Sequence, residues 1–329
     1  MSPRASFRAF AFALGLLTLH AFSARAEPIV VTSKPVPLNP TDLKQVKVGR
    51  LTYRGGLALT STNPRFGGLS ALRLTEGGAR ITFISDEGSW ATARLVNDAQ
   101  GQLVGLADAE LGPLLDLAGK PLLAKFESDA ESLALMPDGS MVVGFEHHHR
   151  LWRYAATKGR LEGKPTVVRP PPRLEEAPPN GGIESLVAWG KDGLFALTEY
   201  WIIDGVIRGW TNGPERWQPL DYRFEGAFRP SDMAVLPSGD VVVLERAYDA
   251  DRGIVSVRLR RVSRKDVRAG ARLKSQAIAD LEPPMSVDNF EGIDAVRGKK
   301  GGPFVYLVSD DNFNAVQRTL LLKFSLDEP

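Results

Sequence analysis

The feature that most narrows the fold of this 329-residue chain is a unit that recurs five times. Residues 66–88 read FGGLSALRLTEGGARITFISDEG, and residues 129–149 read DAESLALMPDGSMVVGFEHHH. Residues 180–201 read NGGIESLVAWGKDGLFALTEYW, 229–247 read RPSDMAVLPSGDVVVLERA, and 288–312 read DNFEGIDAVRGKKGGPFVYLVSDDN. Each unit joins a short apolar strand, a Gly-containing turn and a second apolar strand rich in Val, Ile, Leu and Phe. The turns Pro137-Asp138-Gly139, Lys191-Asp192-Gly193 and Pro237-Ser238-Gly239 carry hairpin chemistry, because Gly reaches positive φ cheaply and Pro pre-sets its own φ. Further strands are expected after each hairpin, at residues 150–154, 254–261 and 319–324.

The units begin near residues 68, 131, 184, 232 and 291, at intervals of 63, 53, 48 and 59 residues. That spacing suits a sheet of three or four strands per unit, and radially arranged sheets are the natural solution. The expected fold is therefore all-β, a β-propeller of five clear units. Residues 46–60 (VKVGRLTYRGGLALT) read as strand but have no unit of their own. They are assigned to ring closure, either completing the last blade or forming a weak sixth. Pairing the first and last segments removes the open edges that invite aggregation. A two-sheet sandwich competes, but it does not explain why the spacing persists along the whole chain. The five prolines of residues 168–182 (VRPPPRLEEAPPNGG) mark an extended surface crossing between units.

The first residues read as an address. Arg4 and Arg8 precede an apolar stretch at 9–22, and Ala24-Arg25-Ala26 is a small-x-small cleavage pattern. The stretch falls short of the ~20 residues that span a bilayer. Residues 1–26 are thus expected to be a secretory signal, 27–45 an extended N-terminal segment and 46–329 a single propeller domain. Losing the three arginines of the leader leaves 38 basic against 39 acidic residues, so charge offers no argument for nucleic acid. The expected location is the periplasm or exterior, with no membrane span after cleavage. A closed ring needs no second copy, so a monomer is expected. With no Cys, disulfides, catalytic thiols and Cys-ligated metals are excluded.

Acids recur at two places. Glu131, Glu184, Asp232 and Glu291 stand at the entrance of the first strand of their units. Asp86 or Glu87, Glu146, Glu199, Glu245, and Asp310 or Asp311 stand at the exit of the second. In a hairpin these two ends lie side by side, so the pairs should emerge on one face and converge on the axis. Two like charges at ~4 Å cost about 4 kcal/mol at an effective dielectric of 20. An ionised cluster therefore needs a cation, arginines or water, or else it takes up protons. Ca2+, which accepts 6–8 oxygen ligands, is the expected divalent cation. The competing reading of the entrance acids is structural: each would hold the backbone amides of the neighbouring blade.

Together these elements resemble a bacterial family, the esterase-like activity of phytase or phytase-like domain proteins, over roughly residues 45–325. The resemblance implies an exported β-propeller hydrolase, with phosphate esters as the nominal substrate class. The positions matching the family pattern are Asp86, Glu131, Glu146, Glu184, Glu199, Asp232, Glu245, Arg246, Glu291 and Asp310; the run His147-His148-His149 is not part of it.

Other chemistry is poorly supported. No G-x-S-x-G elbow, P-loop, H-E-x-x-H or G-x-G-x-x-G occurs. Asp249-x-Asp251-x-Gly253 fails as a calcium loop, because its Gly is one place early and Arg260 stands at the twelfth position. Consecutive strand residues face opposite ways, so at most His147 and His149 share a face, and a turn explains them more simply. Trp201, Trp210 and Trp217 flank an apparent loop at 202–219, where they either roof a cleft or pack outer strands.

The site expected from these residues has Asp86, Glu131, Glu184, Asp232, Glu245, Glu291 and Asp310 as the metal-binding set. Glu146 or Glu199 would be the general base, His147 a general acid if it reaches the funnel, and Arg246 the phosphate-binding fork, unless a neighbouring acid claims it. The substrate would be a small-molecule ester or phosphate ester. A lactonase or carboxylesterase-like propeller, and a propeller that binds without turnover, remain alternatives.

Overall fold

The computed structural model describes residues 25–298 and 302–327. Nearly all of the expected leader lies outside them. Among the described residues five sheets form the blades, antiparallel except where Gln218–Tyr222 pairs parallel with Arg272–Leu273; a two-stranded hairpin, Ala156–Thr157 with Arg160–Leu161, stands beside them, and helix is confined to Lys125–Ser128 and a few 3-10 turns. The innermost strands are Leu69–Thr75, Ala130–Leu135, Ile183–Trp189, Arg229–Val235 and Asn289–Arg297. Each packs against the next, and the fifth packs against the first, so the sheets form a closed ring. Five buried apolar layers fill the junctions between neighbouring blades. Between the fifth blade and the first, for example, Leu57, Tyr306 and Leu321 meet Leu72 and Phe83.

Closure is decided by Leu51–Ser61. This strand pairs antiparallel with Thr319–Leu326, from Thr319 opposite Leu59 to Leu326 opposite Leu51. It is the fourth strand of the fifth blade, and a sixth blade does not exist among the described residues. The segment expected to be merely extended adds two more strands: Val31–Pro35 edges the fifth blade and Glu27–Pro28 edges the first. One short piece of chain therefore ties the last blade to the first, and each pairing covers an edge that would otherwise face water.

The tryptophans pack rather than roof a cleft. Residues 202–219 are largely strand, Trp201 and Trp210 are buried with ring centroids 5.5 Å apart, and Trp217 packs against the same layer.

At the axis, Arg73 of the first blade reaches across the ring. Its guanidinium forks onto Asp232 of the fourth blade with two bonds of 2.9 Å. It also donates to the carbonyls of Ile293 in the fifth blade (2.9 Å), Leu186 in the third (2.8 Å) and its own neighbour Leu72. One side chain thus ties together four blades at the axis.

Candidate functional site

The site is made by a bulge repeated in every blade. Near one end of each inner hairpin the register slips by one residue, leaving Ser70, Glu131, Glu184, Ser231 and Glu291 outside the pairing. A bulge re-aims the unpaired side chain, and here it turns the three glutamates to the mouth. The residues just beyond the second strand's last common pair are Asp86, Glu146, Glu199, Arg246 and Asp310. They surround the same opening.

Two expected acids are elsewhere, for one reason. In the fourth blade Leu244 pairs with Asp232, as Gly144 pairs with Ser132 and Leu197 with Ser185 in the second and third. The entrance position is therefore Ser231, and Asp232 is one residue further along. The exit position is Arg246, and Glu245 is one residue early. A slip of one residue moves a side chain to the other side of a strand. Asp232 accordingly binds Arg73 on the axis and accepts the Ile293 N–H at 2.9 Å, the amide-holding role weighed from the sequence. Glu245 is fully buried between the third and fourth blades, where its Oε1 accepts the Tyr222 hydroxyl at 2.7 Å. Ser70, Ser132 and Ser231 bond carbonyls of the next blade's inner strand.

The mouth is a cavity of about 320 Å3, lined by Asp86, Lys125, Asp129, Glu131, Glu146, His147, Asn180, Glu184, Arg246, Glu291, Asp310 and Asn312. Seven carboxylates thus face two permanent cations. Lys125 Nζ lies 2.5 Å from both Asp86 Oδ2 and Asp129 Oδ1. Arg246 Nη2 lies 3.0 Å from Glu291 Oε1 and 3.5 Å from Glu199 Oε1, which brings Glu199 to the rim of the same network. Arg246 Nε is buried without a partner. Glu146 Oε1 accepts the Gly182 N–H at 2.5 Å, and Asp310 Oδ1 accepts the Asn312 N–H at 2.6 Å.

His147 stands in a turn after the strand Met141–Phe145, with φ +52°, and its Nε2 lies 3.2 Å from Asp129 Oδ2. His149 does not share that face. Its Nε2 lies 3.0 Å from the Pro178 carbonyl on the proline-rich crossing.

Burial dominates the titration of this cluster. Desolvation pushes Glu146 up to about 7, although the Gly182 amide and Glu184 oppose it. Glu199 and Glu291 also rise to about 7 through burial, each moderated by Arg246. Asp310 rises to about 7 through burial, against the Asn312 amide. Glu131 and Glu184 are raised well above the usual range, first by burial and then by Asp129 and Glu146 respectively. Burial and like charges disfavour the ionised forms together, so the cluster shares protons near neutrality unless a cation enters.

The donors suit a hard cation. Asp86, Asp129 and Glu131 each offer an oxygen within 4.8 Å of the other two, and Asp86 Oδ1 is buried without a hydrogen-bond partner. Ca2+ takes carboxylate oxygens of this kind in irregular geometry. Asp129 and Lys125 were not singled out from the sequence. Asp129 was legible as the acid opening the DAES run, whereas Lys125 sits on the short helix Lys125–Ser128, outside any repeated position.

A closed ring of five blades around a carboxylate mouth defines the class: a five-bladed β-propeller. The family described as phytase-like, esterase-like activity of phytase, matches residues 64–313; the chain belongs to it, and that membership supports a hydrolase-like role. No curated protein matches the sequence. Similar solved structures include a putative gluconolactonase, 10% identical over 90% of this chain and 100% of that one (TM-score 0.42). The PQQ-bound aldose sugar dehydrogenase from Streptomyces coelicolor is 14% identical over 92% and 100% (TM-score 0.39). The RRP9 WD40 repeats are 9% identical over 89% and 100% (TM-score 0.41). Among the described residues no helix is long and apolar enough to cross a membrane.

Proposed function

We propose that the mouth is the active centre of an exported, monomeric, metal-assisted ester hydrolase, with phosphate esters as its first substrate class. The observation that carries this reading is the convergence of Asp86, Glu131, Glu146, Glu184, Glu291 and Asp310 from four blades on one cavity. Asp86, Asp129 and Glu131 would hold Ca2+, which when bound supplies Lewis-acid polarisation of the ester and an acidified water. Glu146, near neutrality in its proton affinity, takes the proton of the attacking water as the new bond to phosphorus forms. The ester oxygen leaves with the bonding pair and takes a proton from His147, which Asp129 orients. Arg246 donates N–H groups to the oxygens on which charge builds.

A second reading is favoured by the same arginine. Glu199 and Glu291 hold Arg246, and seven carboxylates repel a polyanion. A neutral carboxyl ester or lactone enters without that repulsion. Hydrolysis of p-nitrophenyl phosphate, phytate, p-nitrophenyl acetate and a simple lactone, with Ca2+ and with EDTA, separates the two. The expectation is Ca2+-dependent turnover that falls about 100-fold or more in Glu146→Gln. Turnover of none of the four above the level of that variant, at any metal concentration, would remove the reading.

A further inference from the structure

Beside the mouth, a second cavity of about 560 Å3 opens at the first blade's edge. It shares Asp86, Lys125 and Asn312 with the carboxylate cavity, so the two adjoin. The rest of its lining combines apolar Pro64, Pro113, Leu122, Leu123 and Phe313 with polar Arg65, Glu87 and Ser89, and two of the apolar side chains stand in water: Leu123 is 60% exposed and Phe313 46% exposed. The volume falls within the roughly 300–1,000 Å3 of small-molecule sites.

Phe313 is held there at a cost. It has φ +48° and follows Asn312 at +47°, two successive left-handed residues without glycine. The turn is tied down by Asp311 Oδ1, which accepts the N–H groups of Phe313 (3.1 Å) and Gly68 (3.0 Å). The ring lies over the backbone of Gly67 and Gly68, and a Cβ at Gly68 would meet both the ring and Asp86 Oδ1. Strained backbone, anchoring bonds and two glycines thus combine to present an aromatic face to solvent next to a carboxylate of the mouth. Phe313 leaves nearly half its surface in water, so the arrangement makes sense as the wall of a ligand site.

We propose that this groove binds the apolar arm of the substrate, and that Phe313 and Leu123 determine specificity for it. The ligand is an ester bearing an alkyl chain or aryl ring, its reacting bond among the carboxylates and its arm between Phe313 and Leu123. The proposal rests on the ester-hydrolase reading of the mouth. Lys125, at the junction, marks where the polar part ends and the apolar part begins.

Two measurements test it. The first is kcat/KM on p-nitrophenyl acetate, butyrate and hexanoate, and on methyl and phenyl phosphate, in the presence of Ca2+. Each added methylene should raise kcat/KM roughly threefold to fourfold until the groove is full. In a Leu123→Ser, Phe313→Ala double variant the hexanoate-to-acetate ratio, or the phenyl-to-methyl ratio if phosphates are the substrates, should fall about tenfold. Phe313→Tyr should keep the ratio. A flat series in the parent, or a double variant that lowers every member equally, overturns the proposal. The second measurement is binding of hexylphosphonate against methylphosphonate by calorimetry, which needs no turnover. Tighter binding of the hexyl ligand that depends on Phe313 upholds the groove even if no ester is hydrolysed, in which case only the catalytic reading falls. Equal binding of the two phosphonates overturns the groove. Both residues are exposed, and unchanged melting of the variants confirms that loss of preference is not loss of fold.

Discussion

Arg73→Met removes the side chain that joins four blades, and it does so at nearly constant volume. The guanidinium is 3% exposed and Asp232 is fully buried. The substitution deletes the forked pair of 2.9 Å bonds and leaves the carbonyls of Leu186 and Ile293 without that donor. Breaking a buried pair by removing one partner costs about 3–5 kcal/mol. At about 2 °C per kcal/mol for a chain of this size, Tm should fall by about 6–10 °C. Urea unfolding measures the same loss directly through the midpoint at constant slope. The loss should depend on pH in a defined direction. Burial already raises Asp232 to about 6 despite Arg73, and without the guanidinium it rises further. A carboxyl whose folded affinity for protons exceeds the unfolded value loses stability as pH rises. Between pH 7.5 and pH 5 the deficit of Arg73→Met relative to the parent should therefore narrow. The double variant Arg73→Met, Asp232→Leu has no lone carboxylate to bury and should recover part of the loss. A single variant within 1 kcal/mol of the parent, or two substitutions whose costs simply add, would show that the axial pair does not hold the ring.

Other consequences follow from the placement of individual charges. Glu245→Gln should leave turnover at the mouth unchanged, because Glu245 lies between blades against Tyr222, whereas Glu146→Gln abolishes it; equal loss in steady-state assays of both variants would contradict the register assigned to the fourth blade. Lys323 is 3% exposed, donates to Asn97 Oδ1 and the Gly101 carbonyl, and is lowered to about 8 by burial. The unfolded chain binds that proton up to about 10.4, so the penalty is full below pH 8 and lifts as pH rises from there. Lys323→Met lacks this titration, so the parent should gain up to about 2 kcal/mol of stability relative to the variant between pH 7 and pH 9.5, at 1.36 kcal/mol per unit. A stability difference that does not change with pH in urea melts would refute it.

The fourth blade shows where sequence reading stopped short. Aligned by its acids, RPSDMAV puts Asp232 beside Glu131 and Glu184. Aligned by its apolar residues, it puts Met233 beside Leu133 and Leu186, and Ser231 at the entrance, as the pairing has it. The apolar register was the better guide because burial, not charge, sets strand register. With it, Arg246 takes the place that Asp86, Glu146, Glu199 and Asp310 hold in the other blades, and a ring of carboxylates acquires its guanidinium. The pairing of Leu51–Ser61 settled the choice between a completed fifth blade and a sixth, since spacing alone is compatible with both.

By itself the amino-acid order determined the hairpins, their fivefold recurrence and the gathering of Glu131, Glu146, Glu184 and Glu291 at one end, because these follow from local turn chemistry and a two-residue strand period. Only the tertiary structure decided that Arg73 meets Asp232 across the axis, that Lys125 lies between Asp86 and Asp129, and that Phe313 lines a groove beside the mouth. Apart from the i,i+4 pair of Lys125 with Asp129, those contacts join residues far apart in the chain, and their existence depends on how the blades come together, which no local pattern encodes.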